Sequence, residues 1–211
     1  PETVLESASG FSLGLNSRSI GESLSGGEIT SPEQELAAYA SAPTRLDSLD
    51  LLSGIAYGQI VSPSLPADAT SWTPTKAEFR LKKMGANSSD VRAQILGLSG
   101  DGAPTDTVLS ELVFPESDLT KNPVWYQVSF DGAPSLAPSE SVCLVLAHER
   151  GGPAGSFEVE DGTGADLWQL DNSGTGSGVW EKTWSPWNMQ MLYRLHGIYT
   201  SPGATGLIQH H

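Results

Sequence analysis

The chain has 211 residues and sets 11 Lys and Arg against 25 Asp and Glu, a net charge of −14 with a pI near 4.5. That length supports one large sandwich domain, or one domain with an appendage, and buries a sizeable core without disulfides. The acidity argues against a nucleic-acid or anionic-membrane partner, because phosphate recognition needs a basic footprint; it fits solubility outside the cell, a saline setting, or cation binding.

No run approaches the roughly 20 apolar residues of a membrane span, so none is expected in this sequence. The chain begins at Pro1 rather than Met. The expectation is that an initiator has been removed or lies outside this sequence, which leaves open whether a signal peptide or an apolar helix goes with it. Residues 1–52 read as an extended lead. Ser and Gly dominate residues 1–30, where Phe11, Leu13 and Leu15 alternate as one short strand suited to adding to a sheet edge on a neighbour. Ser31, Pro32 and Gln34 then form an S-x-x-Q capping box, which predicts a short helix over 31–40 that Pro43 stops.

From about residue 53 the rhythm changes to strands. Residues 54–62 are the first, and 76–84 alternate cleanly, with Ala77, Phe79 and Leu81 on one face and Glu78, Arg80 and Lys82 on the other. Residues 90–98 repeat the pattern through Val91, Ala93 and Ile95. Further strands are predicted at 107–114, 124–130, 141–148, 155–160, 166–170, 178–184 and 189–199. Turn signals recur roughly every 8–15 residues without intervening helices, which predicts an all-β, two-sheet antiparallel jelly-roll-like sandwich over 53–200. The most apolar strands, 124–130 and 141–146, are expected at its centre. Residues 201–211 read as a flexible tail; His210 and His211, native or appended, are given no metal role.

No constellation points to catalysis, and the chain reads as non-enzymatic. Its interior histidines are His148 and His196, and no G-x-S-x-G elbow or zinc-type His/Cys spacing accompanies them. Glu158 and Glu160 share a strand face about 7 Å apart, which leaves a glycoside-hydrolysis pair in view, but a solvated strand face is the preferred reading. Cys143, inside Val142–Leu146, reads as a small buried hydrophobe. Calcium is the candidate cofactor. Asp161, Asp166 and Asp171 lie on Gly-rich loops that offer hard oxygen donors, though Asp, Asn and Gly also simply form turns. Trp180, Trp184 and Trp187 crowd one segment, either as a stacking platform for the sugar rings of a polysaccharide or as plugs at the end of the sandwich. Trp125 and Trp168 are expected in the core, whereas Trp72 falls in a loop and is assigned to neither.

Ala56–Gln59, Gly102–Pro104 with Val108–Leu109, Trp125 and Phe130 before Leu136–Pro138, Val142–Leu146, Trp168 and Tyr193–Gly197 form a pattern over about residues 53–199. It resembles the extracellular bacterial β-sandwich modules of the choice-of-anchor type and, more loosely, carbohydrate-binding jelly rolls. A weaker resemblance is to the β-rich heads of planctomycete-type pilin-like proteins. The resemblance implies display on the cell surface or in the medium, without chemistry, through self-association or another surface protein. The alternatives are a carbohydrate-binding module and a pilin-like filament subunit.

Overall fold

The computed structural model describes residues 23–24, 27–40, 46–51, 55–83, 90–150, 156–161, 167–171, 179–182, 189–203 and 206–207. The chain divides into two compact units, Thr30–Ser201 and a smaller one made of Pro1–Ile29 with Pro202–His211. In chain order the strands are β1 (Ser23–Leu24), β2 (Glu28–Thr30), β3 (Gln34–Tyr39), β4 (Leu46–Asp50), β5 (Ile55–Val61), β6 (Ser71–Lys82), β7 (Asp90–Leu98) and β8 (Pro104–Pro115). A 3₁₀ turn at Glu116–Asp118 leads to β9 (Val124–Ser129), β10 (Val142–Arg150), β11 (Ser156–Asp161), β12 (Leu167–Asp171), β13 (Val179–Lys182), β14 (Met189–Met191), β15 (Tyr193–Pro202) and β16 (Gly206–Leu207). In the smaller unit, β1 pairs antiparallel with β16, and the Gly203 N–H donates to the Gly27 carbonyl at 2.9 Å.

The larger unit holds two antiparallel sheets in a sandwich-like arrangement. One is six-stranded, in the order β13-β12-β5-β10-β7-β8. In the other, β6 lies between β9 and β15, β3 pairs with β15, and β11 carries β4 on one side with β6 and β14 on the other. Leu192 makes that fork possible: its N–H donates to the Glu158 carbonyl at 3.1 Å while its own carbonyl accepts from the Arg80 N–H at 3.5 Å.

Between the sheets lies a core built from Trp72, Phe79, Leu81, Val91, Ile95, Leu144, Leu146, Met191 and Leu195. On β7 the predicted alternation is what packs it, with Val91, Ala93 and Ile95 fully buried. β10 differs, since Val142–Leu146 are buried without a break. Its alternate residues Cys143 and Val145 join Ala56 and Leu96 in a second apolar cluster, against which Leu98, Ala147 and Leu170 pack. A strand covered on both faces reads as a continuous apolar run, which places β10 at the sheet centre as expected. The other expected central strand, β9, pairs only with β6 among the described residues. Its apolarity serves an edge.

The helix expected over 31–40 is not formed. Residues 34–39 are strand β3, paired with β15 from Tyr193 to Gly197. The hydroxyl expected to cap the helix accepts instead from the Tyr199 N–H at 3.0 Å, and the Ser31 N–H donates to the Tyr199 carbonyl at 2.8 Å. An isolated helix of about ten residues is marginal in water. Here β15 offers a full ladder, and Leu36 is buried at the register shift opposite Leu195 and His196. Tertiary pairing outweighs the local capping signal.

Trp72, which the sequence places in a loop, is fully buried in β6. Its N–H and carbonyl pair with Leu136 at 2.9 and 2.7 Å, and its indole N–H donates to the Ala137 carbonyl at 3.1 Å. A β-bulge explains why β6 starts earlier than its alternation suggests. His196 pairs with Lys76 and Gly197 with Pro74, so Thr75 is the extra residue and the inward set switches from Trp72 and Pro74 to Ala77, Phe79 and Leu81. Pro74 sits at the bulge, where a missing N–H costs least.

Candidate functional site

The predicted site residues do not gather at one place among the described residues. Phe11, Leu13, Leu15, Asp166, Trp184 and Trp187 lie outside the described residues. Trp180 stands on β13 opposite Leu170. Asp161 ends β11, opposite Met189, while Asp171 ends β12, opposite Ile55 and Val179. Those two strands belong to different sheets, and no group of three metal-ligating side chains occurs among the described residues.

The candidate carboxylate Glu158 is not solvated. Only 12% exposed, it accepts from Arg80 Nε at 3.0 Å. His196 has Nε2 3.7 Å from Glu78, whose other oxygen accepts from Arg194 Nη1 at 3.0 Å. Glu33 accepts from Lys76 and from the Thr75 hydroxyl, and these two bonds, the lysine's first, hold its carboxyl below the usual range. These residues come from β6, β15, β11 and the approach to β3, and they tile the outer face of the second sheet as matched charges. Trp125, expected in the core, belongs to that face too. It is half-buried, opposite Arg80, and the Arg194 guanidinium lies 4.4 Å from the centre of its ring, a cation–π contact. On β9 the inward positions are Tyr126 and Val128, which throws Trp125 and the exposed Gln127 outward. Trp168, also expected in the core, pairs with Gly58 on the face that carries Leu170 and Ala56, away from the main core. Cys143 is fully buried, and burial pushes its thiol pKa far up, which removes it as a nucleophile.

A second candidate is the side where β8 and β9 meet. β8 is the last strand of the six-stranded sheet, and among the described residues no strand pairs with its far side. The two edges stand close: the Phe114 and Tyr126 rings stack 4.5 Å apart, and the Ser110 hydroxyl donates to the Asp131 carbonyl at 3.2 Å. Val108, Leu112 and Val113 on β8 and Val124 on β9 are 36–45% exposed, and they make four of the five exposed large hydrophobics among the described residues. Natural edge strands are usually blunted by lysine, proline or a bulge. β8 has prolines at both ends and register shifts opposite Leu96, but Ser110–Pro115 runs regularly and no Lys or Arg occurs from Pro104 to Thr120.

Sequence reasoning missed this side, although a signal was present. Val108–Leu109 and Leu112–Val113–Phe114 set apolar residues on both faces of one strand, a pattern for burial on both sides. At an edge, that pattern leaves part of it in water.

No family model matches the chain, and no curated protein is similar to it. Among solved structures it is similar to a chain described as "Structure of infectious bursal disease virus Gx strain", at 10% identity and a TM-score of 0.22. The match covers 89% of this chain and 45% of that one, so this chain spans less than half of that chain's length. At that TM-score the likeness carries no argument.

Proposed function

We propose that this chain is a non-catalytic extracellular structural or adhesive module, a jelly-roll-like sandwich that joins a surface assembly through the β8–β9 side. The observation that carries this reading is the β8 edge, without a partner strand on its far side among the described residues and flanked by exposed Val108, Leu112, Val113 and Val124. Clustered exposed apolar groups are costly to leave in water, and the edge-strand amides beside them template another strand, so association recovers that cost. The acidic, Gly- and Ser-rich composition suits life outside the cell. The test is the double substitution Val108→Lys with Val113→Lys, both at exposed positions. In the native source the tagged chain is expected in the surface or medium fraction within a larger assembly, and the double variant is expected to fold normally but leave that assembly. Wild-type incorporation of the folded variant refutes the reading.

A carbohydrate-binding role has one specific observation in its favour, the outward Trp125 beside Arg194, Glu78 and Gln127. Arg194 covers one face of that indole, so a sugar would meet the remaining exposed part of the ring and the donors and acceptors at its rim. Polysaccharide affinity electrophoresis of Trp125→Ala decides it: retardation equal to wild type refutes Trp125 as a sugar contact.

A further inference from the structure

Resting on the association reading above, we infer that the β8 edge accepts an extended strand from another protein, one that sets Lys or Arg against Glu111 and apolar side chains against Leu112 and Val113. In an antiparallel ladder every second residue turns its N–H and C=O away from its neighbour. On β8 those groups face outward along Ser110–Pro115, the stretch regularly paired with β7 from Ile95 to Asp90. An extended backbone can pair with such groups along their whole length, and the side chains beside them choose its sequence.

The register defines the choice. Leu112 lies across from Ala93 and shares the inward face with Ser110 and Phe114, so an added strand would meet it with an apolar residue extending the core. Val113 lies across from Arg92 and Glu111 across from Gln94, both on the outer face. Glu111 is exposed, accepts from Gln94 Nε2 at 3.0 Å, and lies 3.9 Å from Arg92 Nη1. With its side chain about half exposed, it can also meet a cation on the added strand. Exposed Asp106, Asp118 and Asp131 lie on the same stretch and the loop it touches, with no Lys or Arg between Pro104 and Thr120 to offset them.

Charge also disfavours a second copy as the occupant. A β8–β8 pair would bring one acidic edge against another, each on a chain of net charge −14. Like charges across a strand pair oppose pairing, whereas opposite charges support it.

Two synthetic peptides test the inference, one of apolar strand residues with a single Lys placed to face Glu111 (the Val/Lys peptide) and the other with Glu in that place (the Val/Glu peptide), titrated into the ¹⁵N-labelled full chain. The Val/Lys peptide is expected to shift the amides of Ser110–Phe114 and slow their exchange, and to bind about fivefold more tightly than the Val/Glu peptide, as the difference between one opposite-charge and one like-charge cross-strand pair provides. Glu111→Gln should shrink that ratio several-fold while the fold is kept. Equal binding of the two peptides at β8 overturns the charge inference and leaves the association reading standing. Protection of β8 amides through dimerisation of the chain alone, seen by sedimentation velocity, makes the occupant a second copy and overturns the inference. Failure of the Val/Lys peptide to move any β8 amide overturns it as well. The association reading itself falls only if the Val108→Lys/Val113→Lys variant still enters the surface assembly.

Discussion

Gly197→Ala is expected to be among the most damaging single-methyl additions in this chain. Gly197 sits on β15 beside the Thr75 bulge, paired with Pro74 on one side and Gln34 on the other. A Cβ there would collide with the Thr73 carbonyl oxygen, and would also lie 2.7 Å from Leu36 Cδ1 and 3.2 Å from the Thr73 carbonyl carbon. Neither neighbour has room to give. Thr73 is backbone held in the β6–β15 ladder, and Leu36 is 2% exposed. Overpacking costs about 1–3 kcal/mol when side chains can adjust, so a clash with backbone belongs at the top of that range, about 3 kcal/mol. Against a typical net stability of about 5–15 kcal/mol this is large, and for a domain of this size it lowers Tm by roughly 6–12 °C. Gly97→Ala is the internal control, since its Cβ would meet Thr105 Oγ1 at 3.6 Å and Thr107 Cβ at 3.8 Å, ordinary contacts. That change should lie within about 0.5 kcal/mol of wild type. Urea unfolding followed by circular dichroism, with the slope unchanged, measures both. If Gly197→Ala costs no more than Gly97→Ala, the close approach of β6, β3 and β15 is wrong.

Trp72→Ala should cost about 4 kcal/mol, and Trp72→Phe about half of that, because Phe refills most of the volume but leaves the Ala137 carbonyl without its donor; a silent Trp72→Phe in urea unfolding contradicts the buried bond. Burial raises the pKa of the Tyr193 phenol. The neutral phenol is therefore favoured in the folded state, its contribution is intact below the unfolded value of about 10, and it is lost as pH rises from there through the folded value. Unfolding free energies between about pH 9 and 11 should fall less steeply for Tyr193→Phe than for wild type, and equal slopes refute the assignment. Cys143 should react with a thiol reagent at about pH 8 only as fast as the molecule unfolds. Labelling of the native protein at the rate of a free thiol rules out its place in the second apolar cluster.

Much of the strand inventory is legible in the sequence. β5, β7, β10 and β12 fall where alternation or an unbroken apolar run places them, because side chains alternate across a strand and burial on one or two faces writes itself into composition. Legibility fails where the local pattern is interrupted or misdirected. Thr75 breaks the alternation of β6, which conceals its first four residues and with them Trp72. At Ser31–Tyr39 a sound capping signal competes with a ladder on β15, more than 150 residues away, that no local window contains. Trp125 looked like a core residue because it is large and lies in an apolar run. Yet β9 turns Tyr126 and Val128 inward and leaves Trp125 under Arg194.

For the candidate site the division is sharper. Val108, Leu112 and Val113 are visible in the sequence as apolar residues of a strand, and so is the lack of any Lys or Arg between Pro104 and Thr120. Whether such a strand lies at the centre or the edge depends on which strands arrive beside it. The described partner of β8 is β7, the strand just before it, and whether another strand reaches its far side depends on residues distant in the chain, so only the tertiary structure decides that question. The amino-acid order by itself determined an acidic, all-β chain with its buried faces written in period two. The assembled sheets decided that β10 is enclosed, that Glu158 spends its charge on Arg80, and that β8 ends its sheet with apolar side chains in water, because hydrogen-bond partners and neighbours are properties of the packed molecule rather than of any segment.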